Sequence, residues 1–85
     1  MTVEEMAAKY VRKTERVFGE LEIIRKSTRL DFEKINGIID EAKRYLEDAK
    51  YYLDRGQFGT SLASVAYCEG LLDALRMLGL VRFDW

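Results

Sequence analysis

Apolar residues recur at steps of three and four along most of the chain, with polar residues between them, and the spacing predicts three helices. The first runs from about Val3 to Lys26. Its apolar stripe is Val3, Met6, Ala7, Tyr10, Val11, Val17, Phe18, Leu21 and Ile24, with Thr14 on the same line. Thr2 followed by Glu5 fits a capping box at its start. The second runs from about Phe32 to Arg55, with an inward face of Ile35, Ile38, Ile39, Ala42, Tyr45, Leu46, Ala49, Tyr52 and Leu53. Asp40 and Arg44 are spaced for an i,i+4 ion pair on its outer side. Ser27, Thr28 and Asp31 are all good N-cap residues in the break between the two helices, and the choice among them stays open. Gly56 stops the second helix, and Gly79 stops a third that runs from about Phe58 to Leu78.

The third helix departs from the pattern of the other two. Between Phe58 and Leu78 it has only the charges Glu69, Asp73 and Arg76, which at 100° per residue share one narrow sector with Leu62. Small residues (Gly59, Ala63, Ala66, Gly70, Ala74) form a second line, and large apolar residues such as Val65, Leu71, Leu72, Leu75 and Leu78 occupy much of the rest. A helix that is apolar nearly all round must be covered nearly all round. Two neighbours in one chain cover only part of a third helix. Either this helix is therefore wedged deeply between the others, or a second copy supplies the missing cover. The tail from Leu80 to Trp85 alternates apolar and polar, so Phe83 and Trp85 either fold back on the bundle end or meet a partner.

Composition sharpens this picture mainly by exclusion. Eighty-five residues make one domain, residues 1–85, and 48% hydrophobic residues argue for a packed core rather than disorder. At this size roughly 60–65% of the unfolded surface is removed from water, so association is a common remedy for marginal stability. There is no proline to interrupt the helices and no histidine, and there is one cysteine. The missing histidine removes the commonest general base and zinc ligand, and with it a Ser-His-Asp triad or a Cys-His pair. One cysteine builds neither an internal disulfide nor a thiolate metal site. A secreted domain this small usually has several, so a reducing, cytoplasmic compartment is expected. No segment approaches the apolar length of a membrane span, and the first residues do not read as a signal peptide. The net charge of −1 is spread evenly, which gives no basic footprint for nucleic acid.

Candidate chemistry is correspondingly sparse. Glu69 and Asp73, four residues apart, point the same way and could serve as a metal or acid–base pair. A salt-bridged strip ending in Arg76 is the stronger reading, because a di-iron bundle wants Glu-x-x-His motifs. Tyr45, Tyr51, Tyr52 and Tyr67 beside Lys43, Arg44 and Lys50 could stack bases, but Tyr45 and Tyr52 fit a core with hydroxyls at the rim better. Cys68 lacks the usual base and reads as a buried thiol. The run from Gly56 to Ser61 follows a helix and lacks the lysine and spacing of a phosphate-binding loop.

The stretch from Ala42 to Leu53, Gly56-Gln57-Phe58, the run from Leu62 to Leu75 with its Tyr67-Cys68-Glu69-Gly70-Leu71-Leu72-Asp73-Ala74-Leu75 core, and Leu78-Gly79-Leu80-Val81 together resemble the archaeal domain of unknown function 357 family. The resemblance covers about residues 40 to 82. It implies a small up-and-down three-helix bundle of archaeal cytoplasmic origin, and no activity, cofactor or site residue. The expectations are therefore an all-α three-helix bundle, helices at about 3–26, 32–55 and 58–78, no catalytic or metal site and no cofactor. The expected function is an interaction module that self-associates, for example as a homodimer, or docks a protein partner through helix 3 or the bundle ends. Its candidate surface is Tyr67, Glu69, Gly70, Asp73 and Arg76. The alternative is a small-ligand or nucleic-acid domain built on Glu69, Asp73 and the nearby tyrosines and basic residues.

Overall fold

A computed structural model describes residues 1–24 and 32–85. Three helices form among these residues: α1 (Val3–Glu20), α2 (Phe32–Asp54) and α3 (Phe58–Met77). A pair of two-residue strands joins them, β1 (Glu22–Ile23) and β2 (Val81–Arg82). The up-and-down order sets α2 antiparallel to both other helices and α1 parallel to α3. The bundle is elongated, 44 × 20 × 17 Å.

The helix ends follow from local chemistry. Thr2 accepts a hydrogen bond from the Glu5 amide at 3.1 Å, and the Thr2 hydroxyl donates to the Glu5 carboxylate. The cap therefore closes through two side chains rather than through the Thr2 amide. Gly56 and Gly79 sit at φ 76° and 74°. Each ends its helix in a Schellman motif, in which two amides reach back to the last carbonyls: Gln57 to Tyr52 and Gly56 to Leu53, then Leu80 to Leu75 and Gly79 to Arg76. A side chain at either glycine would be strained.

The first helix is shorter than its apolar spacing suggests. It stops at Glu20 instead of continuing to Lys26, and Leu21 leaves in an extended conformation. Glu22 and Ile23 then pair antiparallel with Arg82 and Val81, and the Ile24 amide donates to the Leu80 carbonyl at 2.9 Å. Leu21 and Ile24 keep the helical spacing beyond the helix end. The Leu21 amide still donates to the Val17 carbonyl, and pairing with the returning tail takes over from Glu22 to Ile24. The Ser27, Thr28 and Asp31 caps lie outside the described residues.

The core is one cluster in which α3 is central, packing against both α1 and α2, while α1 and α2 touch each other sparingly. Ala7, Val11, Thr14 and Val17 of α1 and Ile35, Ile39, Ala42, Leu46 and Ala49 of α2 close on Ser61, Val65, Cys68, Leu72 and Leu75 of α3. Leu80, Val81 and Phe83 seal one end. Ser61 is fully buried and donates its hydroxyl to the Ala49 carbonyl at 2.6 Å, which fixes the α2–α3 hairpin. Some expected core positions lie outside it. Val3 and Ile38 are exposed, Tyr45 and Tyr52 are half-buried, and Leu78 is exposed as the α3 C-cap. Arg44 pairs with Glu41, one turn away on the other side from Asp40.

Candidate functional site

The five candidate residues of α3 separate into two groups, because the helix turns them toward different neighbours. Glu69, Asp73 and Arg76 face α1 and the tail. Gly70 lies on the exposed side, and Tyr67 stands at its border with α2.

The charged group is a structural network. Lys13 of α1 approaches Glu69 at 3.5 Å, and the buried Thr14 hydroxyl donates to the same carboxylate at 3.4 Å. Asp73 accepts from Arg76 at 3.0 Å and from the Trp85 indole at 2.8 Å. That indole hydrogen bond, with the Arg76 guanidinium beside it, holds the Asp73 carboxyl below the ordinary carboxylate value. The tail thus folds back onto the bundle, the first of its two expected fates. Trp85 meets Phe83 edge-on at 4.8 Å, Arg76 stands 5.7 Å over Phe83, and Arg16 donates to the Trp85 carbonyl. The Lys13 ammonium lies between two rings, 4.4 Å from Tyr10 and 5.0 Å from Trp85. This seat of one lysine, two arginines, one aspartate and three rings was not legible in the sequence, since its members come from both ends of the chain. The one signal available was the pairing of two aromatics in a short tail.

Beside this seat, Tyr10, Leu62, Val65, Ala66 and Glu69 line a shallow groove of 170 Å³ between α1 and α3. That volume is below the range of ordinary small-molecule sites, and the groove's carboxylate is already engaged by Lys13. No group of three metal-ligating side chains occurs among the described residues. Cys68 is fully buried, and burial together with the neighbouring Glu69 charge pushes its thiol up to about 12, far from a reactive thiolate.

The uncharged group forms a surface. Gly59, Ala63, Ala66, Gly70 and Ala74 are all exposed. Tyr67 (55% exposed) flanks them, and Met77 (81%) and Leu78 (68%) extend the line. Tyr67 packs its ring 4.3 Å from Tyr45, so the surface continues onto the flank of α2. The large line packs inward, and the small line stays exposed, with Ala66 at the edge of the groove beside Tyr10. By contrast, the outward sides of α1 and α2 bear charges such as Arg12, Glu15, Lys43, Arg44 and Glu47.

No described helix is long and apolar enough to cross a membrane. No curated protein and no solved structure matches the chain. The family model for Protein of unknown function (DUF357) matches residues 9–81. This range takes in α1 from Lys9 onward, all of α2 and α3, and the first strand residue of the tail. The chain belongs to the domain of unknown function 357 family.

Proposed function

We propose that the chain is a non-enzymatic helical interaction module whose working surface is the outer side of α3, from Gly59 to Leu78. The observation that carries this reading is the uncharged, open face of the most apolar helix in a chain whose other helices turn charge outward. Such a line excludes a polar partner poorly and an apolar helix hardly at all, because bare alanine and glycine positions let another helix approach at the short end of the usual 8–10 Å interaxial range. The bundle end is the weaker candidate for docking, since Phe83 and Trp85 are occupied by their own chain. A ligand or nucleic-acid role built on Glu69 and Asp73 would first have to take both carboxylates from Lys13, Arg76 and Trp85. The single free thiol, buried at Cys68, suits a reducing compartment such as the cytoplasm.

A photo-reactive side chain placed at Ala66 in the full chain tests the reading against the same probe at Arg44 on α2. Protein adducts formed through position 66 and not through position 44, and competed by excess unlabelled chain, are expected. Equal labelling at the two positions, or none at 66, would overturn it.

A further inference from the structure

The end of α1 has no stop signal of its own. α2 and α3 each close on a glycine at positive φ, Gly56 and Gly79. α1 instead passes into Leu21 at φ −57° and ψ 129°, and the sequence has no proline and no glycine between Gly19 and Gly37. The Leu21 amide still makes the helical bond to the Val17 carbonyl at 2.9 Å. At 3.6 residues per turn, Leu21 and Ile24 fall within about 40° of Val17 on the α1 wheel, and Val17 is fully buried. A continued helix would turn both toward the bundle end and set the Glu22, Ile23 and Ile24 amides on the Phe18, Gly19 and Glu20 carbonyls. The two isoleucines also suit a strand, so the segment accepts either form.

The tail occupies the place that such a helix would fill. α1 and α3 run in the same direction, so the end of α1 and the turn after α3 share one end of the bundle, where Leu80, Val81 and Phe83 are buried. Glu22 and Ile23 pair with Arg82 and Val81, the Ile24 amide donates to Leu80, and Glu22 meets Arg82 in a 2.6 Å ion pair. Residues 22–24 cannot lie extended beside the tail and coil onto α1 at once, so the two arrangements exclude each other. Each gives the segment backbone partners and each sets apolar side chains over the bundle end. The covers are Leu80, Val81 and Phe83 in one arrangement and Leu21 and Ile24 in the other. The docked tail buries the larger set and therefore prevails in the structure.

We infer that Leu21–Ile24 is a two-state element: a strand while the tail is docked, and a further turn of α1 when the tail lifts. Undocking then exchanges one cover of the bundle end for another instead of opening the core, which is what makes such an element bistable. Phe83 and Trp85 leave their seats together, since both follow directly on the strand that departs. The device lies at the bundle end and is independent of the reading proposed for the outer side of α3.

NMR of the full chain with Phe83→Ala and Trp85→Ala, which remove the two rings that anchor the tail, tests the inference. The Cα chemical shifts of Glu22, Ile23 and Ile24 are expected to cross from the strand side of the random-coil value to the helix side. Sequential amide–amide Overhauser contacts should extend from Glu20 through Ile24. Random-coil shifts at these residues, or unchanged strand-like ones, overturn the inference. Ile23→Ala decides the matter from the other side if the double variant does not fold. Ile23 packs against the core only with the tail docked, and on a continued α1 it would point about 120° away from Val17. Its loss therefore weakens the docked form alone, while alanine favours the helix. Helix-ward Cα shifts at Glu22 and Ile24, with a red shift of Trp85 emission as the tail lifts, are expected. Random-coil shifts at those residues, or unmoved Trp85 emission, overturn the inference.

Discussion

Two lines of residues run along α3 with nearly the same spacing and opposite fates. Ser61, Val65, Cys68, Leu72 and Leu75 step by four, three, four and three and are buried; Gly59, Ala63, Ala66, Gly70 and Ala74 step by four, three, four and four and are exposed. Periodicity alone does not distinguish them. Side-chain size does, because the large line can fill the space between α1 and α2 and the small line cannot. Glu69, Asp73 and Arg76 mark one border between the lines, where α1 and the tail supply Lys13 and Trp85 as partners. Tyr67 marks the other border, where Tyr45 of α2 lies against it. A helix apolar around most of its circumference thus has one side buried in its own core and another that stays exposed.

The contrast should be sharpest on removing a side chain from the buried line. Leu72→Ala is expected to lower unfolding free energy by about 2–5 kcal/mol, since a fully buried leucine leaves a cavity. Denaturant titration of parent and variant measures this. The matching change on the open line, Ala74→Ser, should stay within about 0.5 kcal/mol at a concentration where the chain is monomeric. If the two changes cost the same, the separation into covered and open lines is wrong.

Ser61→Ala comes next. It removes the hydroxyl that bonds Ala49 inside the α2–α3 hairpin and should cost about 1 kcal/mol, read from the shift in denaturant midpoint. A similar or smaller loss is expected for Asp73→Ala at the border. Asp73 is partly solvated, so its ion pair with Arg76 adds little and the indole hydrogen bond accounts for most of the loss. This border also titrates. Folding lowers the Asp73 pKa, so its contribution is complete above the ordinary carboxylate range and is lost as pH falls through the lowered value. The fluorescence of Trp85, the chain's single tryptophan, should therefore change below about pH 4. It should stay flat across that range in Asp73→Asn.

Gly70→Ala has the opposite sign. With open space above it, the added methyl should raise the stability of the monomer by up to about 1 kcal/mol. A loss of stability instead would mean that the α3 face is already covered within the chain.

α1 and α2 were readable because each has a long, strongly periodic stripe, and α3 because its apolar run is set between Gly56 and Gly79. Positions such as Val11, Leu46 and Leu72 fell in the core as their spacing required. The end of α1 was not readable. Leu21 and Ile24 continue the helical spacing, and the pairing that competes with the helix comes from Val81 and Arg82, sixty residues away. The Trp85 seat was hidden for the same reason, since Lys13 and Asp73 approach each other only after α1 and α3 lie side by side. The small line on α3 was visible, but its direction was not. Close packing and open surface both suit alanine and glycine, and only the placement of the larger line decides between them.

The most direct test of self-association through the open face follows backbone amide resonances of the full chain on dilution from about 500 to 20 µM, which reads association of roughly 4–7 kcal/mol. Glycine amides make the reading simple, since two lie on the open line and four elsewhere. The account predicts concentration-dependent shifts at Gly59 and Gly70, accompanied by Ala66 and Tyr67, with Gly19 and Gly37 unmoved. A spectrum that does not change with concentration, or changes confined to α1 and the tail, would contradict it.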